Sequence, residues 1–143
     1  MGTYLVIDAS FAFRLLLPGP DQECCRRLVT QWHAEGYALC APMLWLYEIT
    51  SALCKGVHFG HITRDEGQQA LVLAQKLGVQ SFPPDDAQTT SAFDWTMQLK
   101  RAAAYDSFYL ALTKTLRAEL WTADRRLVNA AGVTWAHLIP DAS

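Results

Sequence analysis

The chain has 143 residues, of which 51% are hydrophobic and 18% are charged, and its formal net charge is −2. These values are typical of a globular domain with a sizeable core, and they argue against a general binder of the phosphate backbone, which is normally basic. No apolar stretch reaches the roughly 20 residues of a membrane-spanning helix, and the N-terminus has no basic region followed by a cleavable apolar segment. We therefore expect a cytoplasmic protein without membrane association.

Apolar runs of strand length alternate with longer helical patterns, beginning with a strand at 4–8. Ser10 is a candidate cap for a helix that ends at Leu17, before a Pro-Gly-Pro turn. The following pattern predicts a helix at 21–34 and a strand at 38–41. Pro42 fits the first turn of a helix that continues to about Lys55.

In the second half, Thr63 and Glu66 form a candidate capping box for a helix that ends near 77–78. The remaining segments are a strand at 79–82, a helix from 85 to about 100, a helix at 105–116, a strand at 119–122, a helix at 124–131 and a strand at 133–138. This alternation predicts one domain over 1–143 with a central parallel sheet covered by helices on both faces.

The four cysteines form neither a zinc motif nor a disulfide framework. Cys40 and Cys54 lie in apolar segments, so we expect them to be buried as reduced thiols. Reduced thiols are in keeping with a cytoplasmic location.

Four acidic residues lie in apolar surroundings. Asp8 ends the first strand and Asp124 follows the fourth, whereas Glu48 and Asp106 are isolated charges in apolar helices. Burying an ionised carboxylate is costly without a cationic partner. If the fold brings all four together, their repulsion has to be relieved by protonation or by a bound cation.

The predicted topology allows the four acids to share one edge of the sheet. Ligands of open parallel sheets bind beyond the carboxyl ends of the strands, where Asp8 lies. The helix after Asp106 runs roughly 18 Å away from that edge, and the next strand returns roughly 13–20 Å, which brings Asp124 back to a similar level. Glu48 lies about two turns into the helix that starts from the same edge.

Each acid also has a purely structural interpretation to be weighed against a metal site. Asp8 is a candidate for a turn or a helix cap, and Asp106 and Asp124 are candidate N-caps. Glu48 lies too far inside its helix to cap it. Oxygen ligands without histidine or cysteine select Mg²⁺ or Mn²⁺, so the set of four predicts a site for one of these cations.

Other polar residues lie close to the acids in sequence. The hydroxyls of Ser10 and Thr122 are candidates to orient a carboxylate or a water molecule, although local turn bonding also explains them. Arg125 and Arg126 directly follow the last acid and are candidate phosphate contacts, as is Arg14. Ordinary solvated surface is the alternative for all three cations.

Four segments resemble those of the PIN-domain ribonucleases, and specifically the toxin subunits of VapBC-type toxin–antitoxin modules. They are V-I-D-A-S at 6–10, A-P-M-L-W-L-Y-E-I-T-S-A-L at 41–53, A-Y-D-S-F-Y-L-A-L at 104–112 and L-W-T-A-D-R-R-L at 120–127. The resemblance implies a three-layer α/β/α fold, Mg²⁺- or Mn²⁺-dependent RNA cleavage, homodimerisation and inhibition by a cognate antitoxin protein. It also implies catalytic, metal-binding roles for Asp8, Glu48, Asp106 and Asp124, supported by Ser10 and Thr122.

Three other functions stay open from the sequence. One is a PIN-fold ribonuclease outside a toxin–antitoxin module, and another is a phosphohydrolase of small metabolites. The D-x-D nucleophile pattern of many such phosphohydrolases is missing, since Ser10 stands two residues after Asp8. The third is a non-catalytic interaction module whose acids only cap helices. Among the tryptophans, Trp45 is the best candidate for a dimer or antitoxin contact.

Overall fold

The computed structural model describes residues 3–140. Its strands are β1 (Tyr4–Ile7), β2 (Ala38–Pro42), β3 (Gln80–Phe82), β4 (Glu119–Thr122) and β5 (Ala136–Leu138). The helices are α1 (Ala9–Leu16), α2 (Gln22–Ala34), α3 (Leu44–His58), α4 (Arg64–Lys76), α5 (Asp86–Leu99), α6 (Tyr105–Leu116) and α7 (Arg125–Ala131).

The strands form one parallel sheet in the order β3-β2-β1-β4-β5. In the central strand β1, Val6 pairs with Cys40 on one side and with Leu120 on the other. The chain proceeds outward from β1 to β3 and then returns to the other side of β1, so the strand order reverses between β1 and β4. Such a switch point is where open parallel sheets bind their ligands.

Apolar packing on both faces of the sheet holds the layers together. Leu5, Val6 and Ile7 of β1 are all buried, as expected for a strand covered on both faces. Helix α6 packs against β1, β2 and β4. The Trp32 ring of α2 lies between the rings of Phe11 in α1 and Trp121 in β4, with centroid distances of 5.5 and 5.2 Å. The predicted three-layer α/β/α architecture with five strands is thus confirmed.

Local signals explain where most elements begin. The predicted capping box is present, since the Glu66 N–H donates to Thr63 Oγ1 at 3.1 Å and the Thr63 N–H donates to Glu66 Oε1 at 2.9 Å. Two expectations are wrong. Ser10 does not cap α1, because Asp8 takes that position. Pro42 does not start a helix either: it ends β2, where it pairs with Phe82 of the parallel strand β3.

Burial corrects two further expectations. Cys40 is a buried free thiol as expected, but the free thiol of Cys54 is exposed because α3 turns that position away from the core. Trp45 is only 2% exposed and belongs to the core, so it is not available for a dimer or antitoxin contact. Within the described part of the chain, no helix is long and apolar enough to span a membrane.

Candidate active site

Asp8 lies at the carboxyl end of β1, at the switch point of the sheet, and is 6% exposed. Its Oδ1 accepts hydrogen bonds from the Phe11 backbone N–H at 2.9 Å and from Ser10 Oγ at 2.7 Å. Its Oδ2 accepts from Thr122 Oγ1 at 2.5 Å. Burial raises the pKa of Asp8 to about 6, against the opposing effect of these hydrogen bonds and with a small further rise from Asp106.

The two predicted hydroxyls join the ends of β1 and β4. Ser10 Oγ lies 3.1 Å from Thr122 Oγ1 and accepts the Ala123 N–H at 2.9 Å. Thr122 Oγ1 in turn accepts the Asp124 N–H at 3.0 Å. The loop that carries Asp124 is therefore attached directly to the residues that hold Asp8.

Glu48 enters the site from α3 and is held by a residue that sequence analysis missed. The Tyr109 hydroxyl, on the buried face of α6, donates to Glu48 Oε1 at 2.7 Å. Burial raises the pKa of Glu48, the Tyr109 hydrogen bond lowers it, and the charge of Asp106 raises it. The available signal was Tyr109 within the apolar segment 108–112, since a buried tyrosine hydroxyl needs a hydrogen-bond partner.

Asp106 lies in the first turn of α6 and is paired with Arg101, a second residue that sequence analysis missed. Arg101 Nη1 lies 2.6 Å from Asp106 Oδ2, and the two side chains are 28% and 36% exposed. The turn after α5 fixes Arg101, because Lys100 adopts the left-handed conformation with φ 56° and the Arg101 N–H donates to the Thr96 carbonyl at 3.2 Å. Burial raises the pKa of Asp106, the Arg101 charge lowers it, and the Asp124 charge raises it.

Asp124 has the structural role that was open from the sequence. It is the N-cap of α7, and its Oδ1 accepts the Leu127 N–H at 3.1 Å. Asp106, by contrast, is not an N-cap, because Ala104 takes that position in α6. Capping therefore accounts for part of the bonding of Asp8 and Asp124, but not for Glu48 or Asp106.

The four acids influence one another without forming a closed ligand cluster. The Asp106 charge raises the pKa of Asp8 and of Glu48, and Asp124 acts likewise on Asp106. Asp106 is thus the member that links the others. Among residues 3–140, however, no three histidine, cysteine, aspartate or glutamate side chains are gathered closely enough to hold a metal ion.

Two of the three predicted phosphate-binding arginines lie together. Arg14 and Arg125 line a small polar pocket of about 190 Å³, which also contains Ala123 and the buried Asp21. Arg14 forms an ion pair with Asp21. Arg126 is exposed on α7 and does not line this pocket.

Comparison with known proteins bears on the fold. No protein-family model matches the chain, and no curated protein matches its sequence. A chain from the solved structure of VapBC2 from Rickettsia felis, bound to a promoter DNA fragment, aligns with a TM-score of 0.73 over 96% of this chain and 99% of its own, at 8% identity. VapC20 from Mycobacterium tuberculosis, described as a toxin that cleaves the sarcin–ricin loop, aligns with a TM-score of 0.68 over 95% of this chain and 99% of its own, at 13% identity. This chain has the PIN-domain fold of such structures.

Proposed function

We propose that this protein is a divalent-metal-dependent endoribonuclease that hydrolyses RNA phosphodiester bonds and acts as the toxin of a toxin–antitoxin pair. The observation that carries the proposal is Asp8, an almost fully buried carboxylate at the switch point of a PIN-type sheet, linked electrostatically to Asp106. Burying a carboxylate in this position costs free energy, and buried acids with perturbed pKa values are concentrated at functional sites. The RNA-cleaving activity described for VapC20, which has the same fold, supports this reaction class.

The donor chemistry fits Mg²⁺ or Mn²⁺. Asp8, Glu48, Asp106 and Asp124 offer only oxygen atoms. Burial, and to a lesser extent the charge of a neighbouring acid, raises the pKa values of Asp8, Glu48 and Asp106, and a bound cation would favour their ionised forms. When bound, such an ion activates a water molecule and stabilises negative charge developing on the phosphate. Arg101 Nη1 lies 2.6 Å from Asp106 Oδ2, so an ion that used this oxygen would compete with the guanidinium.

The chain's own residues would orient the ligands. Ser10 and Thr122 fix both oxygens of Asp8, and Tyr109 fixes one oxygen of Glu48. Because the rotamers of these carboxylates are already restricted, ordering them for the reaction costs less entropy. The Asp106 carboxylate, which is more exposed than that of Asp8 and pairs with a long flexible side chain, is the adjustable member of the set.

The pocket lined by Arg14 and Arg125 is the proposed contact for a phosphate next to the scissile bond. It borders Ala123, the residue before Asp124, so a backbone phosphate held there stays close to the acids. Arg126, which follows Arg125 in α7, would contact the RNA outside this pocket. Phosphate contacts of this kind position the strand without selecting its sequence.

The proposed partners are RNA as substrate and a cognate antitoxin that inhibits the enzyme, and we propose a homodimer in the cytoplasm. The antitoxin rests on the likeness to a chain of the VapBC2 complex and on the resemblance of the sequence. A ribonuclease without an antitoxin has the same site, so the toxin assignment needs a test in cells. We expect that expression of this protein in bacterial cells arrests growth. Co-expression of the product of the adjacent gene is expected to relieve the arrest.

The reaction itself is tested by incubating a single-stranded RNA oligonucleotide with the protein in Mg²⁺, in Mn²⁺ and in EDTA. We expect internal cleavage with either ion and none in EDTA, because the acids need the cation to accept a phosphate. A phosphomonoester serves as the comparison substrate. Faster turnover of the phosphomonoester than of RNA would favour a small-molecule phosphohydrolase. If the protein neither binds Mn²⁺ nor turns over either substrate, a non-catalytic module is favoured.

A further inference from the structure

A groove beside the acids carries features that the phosphodiester chemistry alone does not need. It has a volume of about 650 Å³ and lies between α1, α3 and the start of α6. Its lining includes Phe13, Tyr47, Glu48, Lys55 and Tyr105. We call it the tyrosine groove. Because Glu48 belongs both to this groove and to the candidate active site, an occupant of the groove is in reach of the acids.

Two tyrosines in this groove are far more exposed than aromatic side chains usually are. Tyr47 is 67% exposed and Tyr105 is 64% exposed. Each directly precedes an acid of the site, Glu48 in α3 and Asp106 in α6. Single exposed rings are common on protein surfaces, but two that line the same groove present a larger apolar surface to water, which is a sign of a binding surface.

Helix geometry explains how α3 builds one wall of the groove. Tyr47, Ser51 and Lys55 are spaced by four residues and form one stripe of α3, and Leu44, Glu48 and Ala52 form the adjacent stripe. The wall therefore presents an aromatic ring, a hydroxyl and a cation beside an acid of the site. This is the combination that single-stranded nucleic acid uses, since bases stack on aromatic rings and phosphates contact cations.

We propose that the tyrosine groove binds single-stranded RNA, with Tyr47 and Tyr105 stacking on bases and Lys55 contacting a phosphate. The inference rests on the proposed ribonuclease function and names how its substrate is held. RNA is favoured over a protein partner because the groove places two exposed rings and a cation beside Glu48, an acid of the candidate site, as a bound strand requires. The neighbouring groove between α3 and α4, of about 580 Å³, is lined by Leu53, Val57 and Leu71 and by none of the four acids.

Single-stranded recognition follows from the chemistry of stacking. Bases in a duplex are already stacked on one another, so their faces are not available to a protein ring, whereas a loop or a single strand can place a base on tyrosine. The groove therefore predicts a preference for unpaired over paired RNA at the cleavage point. Since every base has a π-face, stacking alone gives only modest sequence preference.

The test measures RNA affinity separately from cleavage. A fluorescein-labelled single-stranded RNA oligonucleotide is titrated with Asp8→Asn protein in Mg²⁺, and fluorescence anisotropy gives Kd. Adding Tyr47→Ala or Tyr105→Ala is expected to raise Kd about tenfold each, the loss typical of one stacked base. Tyr47→Phe and Tyr105→Phe keep the ring and are expected to bind like the Asp8→Asn parent.

Phe93→Ala is the matched control, because Phe93 is 62% exposed on α5 but does not line the tyrosine groove. It is expected to leave Kd unchanged. In the active enzyme, the two tyrosine-to-alanine variants are expected to raise KM far more than they lower kcat, with unchanged thermal unfolding. That division separates a role in substrate binding from damage to the fold.

Equal Kd values for the alanine variants and for Asp8→Asn alone would overturn the inference. The ribonuclease proposal would stand in that case if the unsubstituted enzyme cuts RNA. Equal Kd values together with a change in oligomeric state, measured by light scattering, would assign the groove to a second copy of the chain. A loss of affinity in the phenylalanine variants as large as in the alanine variants would also overturn it, because the ring would not be the contact. If the Asp8→Asn protein does not bind RNA and the unsubstituted enzyme does not cut it, both proposals are overturned.

Discussion

Replacing Asp8 by asparagine is expected to lower the rate of RNA cleavage by about 10³-fold while the protein remains folded. Asparagine has nearly the same shape, so its oxygen can still accept the Phe11 N–H and the Ser10 hydroxyl that now bond Asp8 Oδ1. What disappears is the negative charge at the switch point. On the proposed function, the cation site at the end of β1 would lose a charged ligand.

Initial rates of cleavage of one RNA oligonucleotide in Mn²⁺ measure this effect, with circular dichroism as the check on folding. Asp94→Asn is the matched control, since Asp94 is an exposed acid on α5 and does not contact the site. It makes the same charge change and is expected to keep full activity. If Asp8→Asn cuts RNA as fast as Asp94→Asn, the assignment of the site is wrong.

The same variant has a second readout in the free energy of unfolding. Burial raises the pKa of Asp8 from 3.8 to about 6, so between these values the folded state holds a proton that the unfolded state has released. The free energy of unfolding of the metal-free protein therefore falls as the pH rises through this window, by on the order of 3 kcal/mol for Asp8 alone. Asp8→Asn is expected to flatten the profile and to be more stable than the parent at neutral pH.

Urea unfolding in EDTA across this pH window measures the profile, and the raised pKa values of Glu48 and Asp106 add a slope of the same sign to both proteins. Mn²⁺ should stabilise the parent, because a ligand that binds only the folded state shifts the equilibrium toward it. It should stabilise Asp8→Asn less. A variant with the same pH profile as the parent would contradict the burial-driven pKa.

The order of the elements was predictable because each depends on short-range patterns. The predicted bounds of α6 and β4 match the structure, since an apolar helix and an apolar strand are separated by a single turn at 117–118. The cap of α1 was left open between Asp8 and Ser10, because both have side chains that suit the position. The structure decides for Asp8, whose backbone is extended while Ser10 is already helical.

The geometry of the site was less predictable, because it depends on contacts between distant segments. The Thr122–Asp8 hydrogen bond joins residues 114 positions apart, and the Tyr109–Glu48 bond joins residues 61 positions apart. The strand order that brings β4 beside β1 cannot be read from hydrophobic periodicity. Placing the acids at one edge required only strand and helix lengths, and so the sequence could predict the edge but not the hydrogen bonds within it.

Arg101 shows the same limit at short range. It lies five positions before Asp106, and its contact with that acid follows a turn in which Lys100 takes a left-handed conformation. Left-handed backbone is uncommon outside glycine, so a lysine gives no signal for such a turn. From the sequence, Lys100 and Arg101 therefore resembled an ordinary solvated basic pair.

Arg101→Gln is expected to lower the Kd for Mn²⁺ by about tenfold. In the free protein the guanidinium holds Asp106 Oδ2, the acid whose charge reaches both Asp8 and Glu48. On the proposed function, an ion that bound this oxygen would compete with the guanidinium. The pair is about one-third exposed, so solvent screening keeps its strength well below that of a buried pair, and a tenfold change corresponds to roughly 1.4 kcal/mol.

Calorimetric titration with Mn²⁺ measures this affinity without reference to RNA cleavage. Lys100→Gln is the matched control, because it removes one positive charge from the neighbouring position without opening the Arg101–Asp106 pair. A general change in net charge would tighten Mn²⁺ binding equally in both variants, whereas competition for Asp106 tightens it only in Arg101→Gln. Weaker binding in Arg101→Gln would mean that the guanidinium orients Asp106 toward the ion, because loss of a pure competitor can only strengthen the binding of the cation that it excludes.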